Sequence, residues 1–182
     1  MKTHKPWLSL LGVVVVGALA GCSMTSPKSA DVSDSIRKSL DQAGFKDVSA
    51  SEDRDKGVVT LSGHVTMDAD KSQAESIAHS FAIGQVVSNQ IAIVPVGNES
   101  DAKAVNLDLD NGIGKNLDAA LIEANLHDAV KYDVKNHVVT LTGEVNSQSK
   151  RARAETVASA VLNVQQVVNE LQVKGQKASS SN

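Results

Sequence analysis

The sequence predicts an α+β protein made of two tandem small modules, each helix–strand–strand–helix–strand, with a three-stranded mixed sheet packed on two helices. The main observation is an internal repeat at a spacing of 80 residues. Segments 58–65 and 138–145 share six of eight residues, and the ungapped match of 58–93 with 138–173 has 12 identities in 36 positions. Each half also shows helical and strand periodicities in the same order. A feature present in both copies therefore indicates a requirement of the fold, and a feature confined to one copy is a candidate for function.

The start of the chain has the pattern of a bacterial lipoprotein signal peptide, residues 1–21. A short cationic segment precedes an apolar run of 14 residues, Trp7 to Ala20, which is too short for a transmembrane helix and suits a secretory signal. The run ends in the cleavage motif Leu19-Ala20-Gly21 ahead of Cys22, which predicts that Cys22 is acylated and becomes the mature N-terminus. The alternatives are an uncleaved anchor, or plain secretion with an incidental cysteine.

Cys22 is also the only cysteine, so an intrachain disulfide is excluded. Acyl chains contribute roughly 0.8 kcal/mol per buried methylene, and two or three of them give stable membrane anchoring through palmitate-type groups. The next residue is Ser23 and not Asp, which favours the outer membrane, facing the periplasm, over the inner membrane. Residues 22–31 are expected to form a flexible tether, and residues 175–182 a disordered tail.

The first helix and the first two strands are predicted from apolar spacing in each copy. Helical spacing occurs at Val32, Ile36, Leu40 and Ala43, and again at Ile113, Leu117, Leu121 and Ala124. Gly44 and Asn125 follow, as expected at left-handed helix ends. A short strand around 47–53 or 128–134 and a turn lead into the second strand, whose core face carries Val59, Leu61 and Val65, or Val139, Leu141 and Val145.

A longer helix and a last strand complete each module. The apolar stripe of the helix is Ala74, Ile77, Ala78 and Phe81, matched by Ala154, Val157, Ala158 and Val161. The last strand alternates as Val87, Asn89, Ile91 and Ile93, matched by Val167, Asn169, Leu171 and Val173. The predicted domains are therefore 32–95 and 113–174, joined by an acidic linker, 96–112, in which Pro95, Gly97 and Gly112 are expected to act as breakers.

These motifs resemble the BON family, small envelope modules often found in tandem. The resemblance is carried by the hydrophobic-x-Leu-Ser/Thr-Gly-x-Val strand end (59–65, 139–145), the Ala-Glu-x-x-Ala helix (74–78, 154–158) and the last strand. It implies an outer-membrane lipoprotein or periplasmic stress protein that maintains the envelope, with binding to phospholipid surfaces.

Two pairs of repeated residues are candidate structural positions. Gly63 and Gly143 end the second strand, where a special backbone angle or a close helix approach excludes a β-carbon; a binding role is the alternative. Asn89 and Asn169 share the parity of the core-facing residues, so their side chains should point toward the helices and hydrogen-bond to backbone.

Composition excludes several function classes. Removal of the signal leaves 16 basic against 21 acidic residues, a charge of −5, and with few aromatics this argues against nucleic-acid binding. The histidines lack ligand spacing, so neither a metal nor a cofactor is expected, and the simplest prediction is that they lie on the surface. No phosphate loop, nucleophile elbow or carboxylate pair is present in the sequence, which predicts that the protein is not an enzyme.

The asymmetric feature is a basic cluster, Lys150, Arg151 and Arg153, at the start of the long helix of the second module. Copy one has Asp70, Lys71 and Gln73 there. Cations near a helix N-terminus oppose the helix dipole, which favours a role in contacting anionic phospholipid; the alternative is an ordinary solvated face. The competing function is a periplasmic, stress-induced scaffold that binds an envelope protein through the sheet face bearing Val58, Thr60, Ala92 and Val94.

Overall fold

A computed structural model describes residues 31–174, and the α+β fold of two repeated modules is confirmed. The first module consists of α1 (Ser33–Gln42), β1 (Val48–Asp53), β2 (Val58–Val65), α2 (Asp68–Phe81), β3 (Val86–Asn89) and β4 (Ala92–Ile93). The second consists of α3 (Glu99–Glu123), β5 (Val130–Lys135), β6 (Val138–Val145), α4 (Gln148–Ser159), β7 (Gln166–Asn169) and β8 (Gln172–Val173).

Each module has a mixed sheet with the second strand at its centre. β1 pairs antiparallel with β2, while β3 and β4 pair in parallel with the other edge of β2. β5, β6, β7 and β8 repeat this arrangement. The predicted last strand is thus two short strands in line, interrupted after Asn89 and Asn169, because these side chains accept the hydrogen bond of the amide two residues on.

Both helices of each module pack on one face of its sheet. In the first module, α1 contributes Ile36 and Leu40, and α2 contributes Ala74 and Ala78, all of them 0% exposed. The alanines let α2 lie close to Val59 and Leu61 of β2 because they add almost no side-chain bulk. Phe81 was expected on the core stripe, but it lies at the end of α2 and is 36% exposed, whereas its counterpart Val161 is 9% exposed.

The predicted linker is largely helical. α3 begins at Glu99 and runs for 25 residues through both Gly112 and Gly114, so the expectation that Gly112 breaks the chain is wrong. A glycine inside a helix costs only about 1 kcal/mol relative to alanine, which the surrounding contacts offset. One such contact is made by Asp110, whose carboxylate accepts hydrogen bonds from the backbone amides of Asn136 and His137 at 2.7 and 2.8 Å.

The two modules dock through equivalent surfaces. Val58 and Val138 are counterparts in the repeat, and with Val168 they form an apolar cluster between the sheets. Two polar contacts also join equivalent positions of the two modules. Lys56 Nζ donates to Glu170 Oε2 at 2.7 Å, while Asn136 Nδ2 donates to Gln90 O at 2.8 Å, and each of these residues lies 80 positions from its counterpart. The interface is therefore a pseudo-twofold contact within one chain.

This docking changes the interpretation of the sheet face opposite the helices. Val58 is only 5% exposed because the second module covers it, so this end of the face is not the free docking surface that the scaffold hypothesis assumed. Thr60, Ala92 and Val94 remain half-buried. Some of the surface expected to bind a partner is thus used to join the modules.

One side chain breaks the symmetry of the interface. Gln166 accepts from the amide of Asn89 at 2.9 Å through Oε1 and donates to the carbonyl of Val87 at 2.7 Å through Nε2. The side-chain amide of Gln166 thereby pairs with the free backbone groups at the outer edge of β3. The counterpart of Gln166 is Val86, which offers no polar atom from its side chain and is 48% exposed.

Candidate functional site

The basic cluster lies at the N-terminus of α4, where its side chains have different surroundings. Lys150 and Arg153 are exposed, and neither side chain has a hydrogen-bond or ion-pair partner among residues 31–174. Their spacing of three residues places them as neighbours on the helix surface. Ser147 caps the helix by accepting from the amide of Lys150 at 3.3 Å, which stabilises an end that carries no acidic residue in its first turn.

Arg151 is not a free cation. It is half-buried, and its guanidinium donates to the carbonyls of Asn169 at 2.8 Å and Leu171 at 3.0 Å. These carbonyls flank the interruption between β7 and β8, so Arg151 ties the helix to the broken strand. The exposed cations of the cluster are consequently Lys150 and Arg153, while Arg151 is engaged by strand carbonyls.

The equivalent end of the first module has the opposite charge. α2 begins with Asp68 and Asp70 in its first turn, where acidic side chains complement the helix dipole. Lys71, the counterpart of Arg151, donates through Nζ to Gln165 Oε1 of the second module at 3.2 Å. Burial lowers the pKa of Lys71, an effect that Asp68, Glu75 and Asp110 partly offset. A cation in this position serves the module interface in one copy and the strand interruption in the other.

The paired asparagines fasten the long helix to the last strand in both modules. Asn89 Nδ2 donates to the carbonyl of Lys71 and to Glu75 Oε2 at 3.3 and 3.0 Å, while its Oδ1 accepts from the amide of Ile91 at 3.3 Å. Asn169 makes the same three contacts with Arg151, Glu155 and Leu171. The side chains thus point toward the helices and bond to backbone. The repeated glutamate of the Ala-Glu-x-x-Ala motif is part of the same network.

The paired glycines lie where β2 and β6 pass closest to the preceding chain. Gly63 has φ +110° and Gly143 has φ +119°, values that side chains rarely tolerate. A β-carbon on Gly143 would lie 2.5 Å from the carbonyl oxygen of Ala129, and one on Gly63 would lie even closer to that of Asp47. Both glycines therefore have a backbone reason for their presence.

The histidines do not form a site within the described part of the chain. His64, His79 and His127 are exposed, and no group of three or more His, Cys, Asp or Glu residues in that part could hold a metal ion. His137 differs from the expected surface position, because its Nε2 is buried without a hydrogen-bond partner at the module interface. Its repeat counterpart is Gly57, so the pattern of the sequence gave no signal of this burial.

The predicted lipidation site cannot be placed in this geometry. Cys22, its cleavage motif Leu19, Ala20 and Gly21, and the predicted tail 175–182 lie outside the described residues. Among the helices of residues 31–174, none is long and apolar enough to cross a membrane.

Asp110 and Gln166 are interface residues that the sequence did not single out. Gln166 left a signal, since it replaces Val86 in an otherwise apolar position of the repeat. Asp110 left none, because its hydrogen bonds join it to amides 26 and 27 residues further along the chain and follow no local pattern.

The geometry of both modules agrees with a comparison against family models. The BON domain model matches residues 28–95 and 110–175. The chain belongs to the BON-domain family. The resemblance inferred from the strand-end glycines, the Ala-Glu-x-x-Ala helices and the last strands is therefore confirmed.

A curated relative and two solved structures are similar to this BON-domain protein. Over 137 residues it is 29% identical to "Osmotically-inducible protein Y" of Escherichia coli (strain K12), covering 74% of this chain and 67% of the relative. Two structures of CdsD, a structural protein of the type III secretion system of Chlamydia trachomatis, are each 15% identical with a TM-score of 0.33. They cover 81% and 79% of this chain, and 99% and 92% of their own.

Proposed function

We propose that this protein is a non-enzymatic, stress-related envelope lipoprotein of the outer membrane, facing the periplasm, whose second BON domain contacts anionic phospholipid. Acylated Cys22 would supply the anchor, and the tether 22–31 would hold the modules near the membrane surface. Membership of the BON family and similarity to an osmotically inducible protein support the envelope and osmotic-stress role. The anchor is supported by the apolar run that ends in Leu19-Ala20-Gly21-Cys22.

The observation that carries the lipid contact is the exposed pair Lys150 and Arg153. Both cations are free of acidic partners in the described chain, and they lie at a helix N-terminus where the helix dipole disfavours positive charge. Each basic residue near an anionic surface contributes about 1 kcal/mol of binding. The first module presents Asp68 and Asp70 at the same place, so the contact is assigned to the second module.

Liposome flotation tests this proposal. Residues 23–182 contain both hydrophobic cores and the whole module interface, and in the absence of Cys22 their binding reports the folded part alone. We expect flotation with vesicles that contain phosphatidylglycerol or cardiolipin, little with phosphatidylcholine alone, and weaker flotation as salt rises. At about 1 kcal/mol per cation, Lys150→Gln with Arg153→Gln should lower the partition coefficient by roughly 30-fold.

The matched control is Lys46→Gln with Lys115→Gln, which removes the same charge from exposed positions elsewhere. Arg151 is left intact because its replacement would release two strand carbonyls. Equal binding by the wild type and the Lys150/Arg153 variant would exclude this cluster. Equal losses in both double variants would show an effect of net charge without a specific surface.

A scaffold that binds an envelope protein is the second candidate, and an exposed apolar group of the first module favours it. Phe81, Ile83 and Val86 surround the loop between α2 and β3 and are 36, 86 and 48% exposed. Such a patch on a folded domain is typical of protein contact surfaces. A photoreactive residue at position 83 should then crosslink one defined envelope protein in intact cells, and the same residue at exposed position 119 should not.

A further inference from the structure

A cleft separates the first module from the linker part of α3. Its walls are the ends of β2 and β4, the helix segment 99–110 and the turn between β5 and β6, and its volume is about 560 Å³. That volume falls in the range of roughly 300–1,000 Å³ found for small-molecule sites. The cleft lies on the side of the first sheet opposite its helices, far along the chain from the basic cluster of α4.

The apolar part of the cleft wall is aliphatic. Ala92 lines it from β4 and Val94 from just after that strand, and Leu107 lines it from α3 while remaining 60% exposed. None of the lining residues is Phe, Tyr or Trp, so the walls offer no aromatic face on which a sugar or nucleobase could stack. Aliphatic walls of this kind match an alkyl chain, which gains from every methylene removed from water.

The charged groups that line the cleft differ in whether they have hydrogen-bond or ion-pair partners. Asp110 accepts from the amides of Asn136 and His137 through both carboxylate oxygens, and Glu99 accepts from the amide of Gly97 at 3.0 Å through one. The hydrogen bond from Gly97 lowers the pKa of Glu99, which keeps this acceptor ionised. Lys103 and Lys135 line the same cleft, and neither ammonium has a carboxylate or hydrogen-bond partner within residues 31–174. Lys103 and Lys135 are therefore the charged hydrogen-bond donors that remain for a ligand in this cleft.

We propose that this cleft binds a single-chain amphiphile with an acidic head, of the free fatty acid class. Its hydrocarbon chain lies against Ala92, Val94 and Leu107, and its carboxylate lies between Lys103 and Lys135. The ligand is a monomer in solution, so this site is independent of the membrane contact assigned to Lys150 and Arg153. It also gives the helical linker a role, because half of the cleft is built from the segment that joins the modules.

Titration by ¹⁵N–¹H NMR tests the proposal, with residues 23–182 lacking Cys22 and sodium dodecanoate below its critical micelle concentration. We expect saturable shifts at the amides of Ala92, Val94 and Leu107, and at least tenfold weaker binding of dodecyltrimethylammonium, which has the same chain and the opposite charge. Leu107→Asp should weaken dodecanoate binding at least tenfold. Val105→Asp is the matched control, since Val105 is 56% exposed on the same helix and does not line the cleft.

The charge requirement has its own pair of variants. Lys103→Gln with Lys135→Gln should weaken dodecanoate binding about tenfold and remove the preference over the ammonium compound, whereas Lys46→Gln with Lys115→Gln should leave both unchanged. The proposal is overturned by any one of three results: no saturable shifts, equal binding of the two head groups by the wild type, or equal loss in Leu107→Asp and Val105→Asp. Because all the replaced residues are exposed, we expect each variant to retain the fold, and circular dichroism checks this.

Discussion

Four glycines differ in backbone φ and in the space around an added β-carbon, so their alanine variants distinguish backbone strain from steric overlap. Gly112 lies inside α3 with ordinary helical φ and open space, whereas Gly44 has φ +93° and open space. Gly143 combines φ +119° with a β-carbon position 2.5 Å from the carbonyl oxygen of Ala129, and Gly63 combines φ +110° with a still closer approach to Asp47. Alanine therefore introduces neither strain nor overlap at Gly112, left-handed backbone strain at Gly44, and both strain and overlap at Gly143 and Gly63.

The expected changes in the free energy of unfolding follow from these geometries. Gly112→Ala should stabilise the protein by about 1 kcal/mol, since alanine loses less entropy in a helix. Gly44→Ala should destabilise it by about 1–2 kcal/mol through left-handed backbone strain alone. Gly143→Ala adds an overlap of about 1–3 kcal/mol, and Gly63→Ala should cost the most, about 3–5 kcal/mol in total.

That last figure is comparable with the stability of a whole module. At about 0.05–0.15 kcal/mol per residue, a module of some 60 residues is stable by roughly 3–9 kcal/mol, so Gly63→Ala should leave the first module partly unfolded at 25 °C. Urea unfolding followed by circular dichroism measures the series, and fluorescence of Tyr132 reports the second module alone. If Gly63→Ala and Gly143→Ala were no less stable than Gly44→Ala, the close approach of backbone would not explain why both copies have glycine.

Three further predictions concern the polar contacts. Asn89→Ala should cost about 2–3 kcal/mol in urea unfolding, because the amide of buried Ile91 loses its acceptor, and the half-buried Asn169→Ala should cost less. Asn89→Asp retains that acceptor but sets a carboxylate against Glu75, so its loss should shrink as pH falls; a loss independent of pH would contradict this geometry. Lys56 with Glu170 should show a coupling of about 0.5–1 kcal/mol in a double-mutant cycle of Lys56→Met and Glu170→Gln. The hydrogen bond to Glu170 raises the pKa of Lys56, so the coupling should be complete from neutral pH up to pH 10.5 and disappear as pH rises through the raised pKa. Coupling that persists above that pKa would count against the ion pair.

The repeat allowed most of the fold to be predicted. Apolar spacing located the helices α1, α2 and α4 and the central strands, because each buries one periodic face against the same core. The left-handed helix ends at Gly44 and Asn125 are also confirmed, with φ +93° and +56°. These features depend on local patterns, and local patterns recur wherever the same module recurs.

The linker was harder to predict because its structure depends on distant residues. Residues 99–112 contain two aspartates, two asparagines and a glycine in their second half, a composition typical of a loop. In the structure this segment faces the outer side of the first sheet across a cleft, and Asp110 binds the backbone of a turn 26 residues away. Neither feature has a periodic signature. The burial of His137 escaped prediction for the same reason, whereas the bridging role of Gln166 was missed although this residue differs from its counterpart Val86.

The differences among the three basic residues follow from the same limitation. Sequence alone shows Lys150, Arg151 and Arg153 as one run of charge, since periodicity does not reveal which guanidinium reaches a strand carbonyl. The repeat nevertheless held a relevant clue. Lys71 is the counterpart of Arg151, so a cation at this position is common to both copies, and by the logic of an internal control it belongs to the fold.

The same logic indicates where function can differ between the modules. Docking uses equivalent residues from each copy, with Val58 against Val138 and the turn of each module against the last strand of the other. Changes in this shared surface would affect both modules at once, which restricts divergence there. At the N-terminal ends of α2 and α4, Lys71 takes part in docking, but Asp68, Asp70, Lys150 and Arg153 make no hydrogen bond or ion pair to the other module within residues 31–174. These four side chains have diverged to opposite charge between the modules. Because Ser147 caps α4, the second module can carry these cations without an acidic first turn, so exchange of the charges between the two ends should move lipid binding to the first module while leaving the docked pair intact.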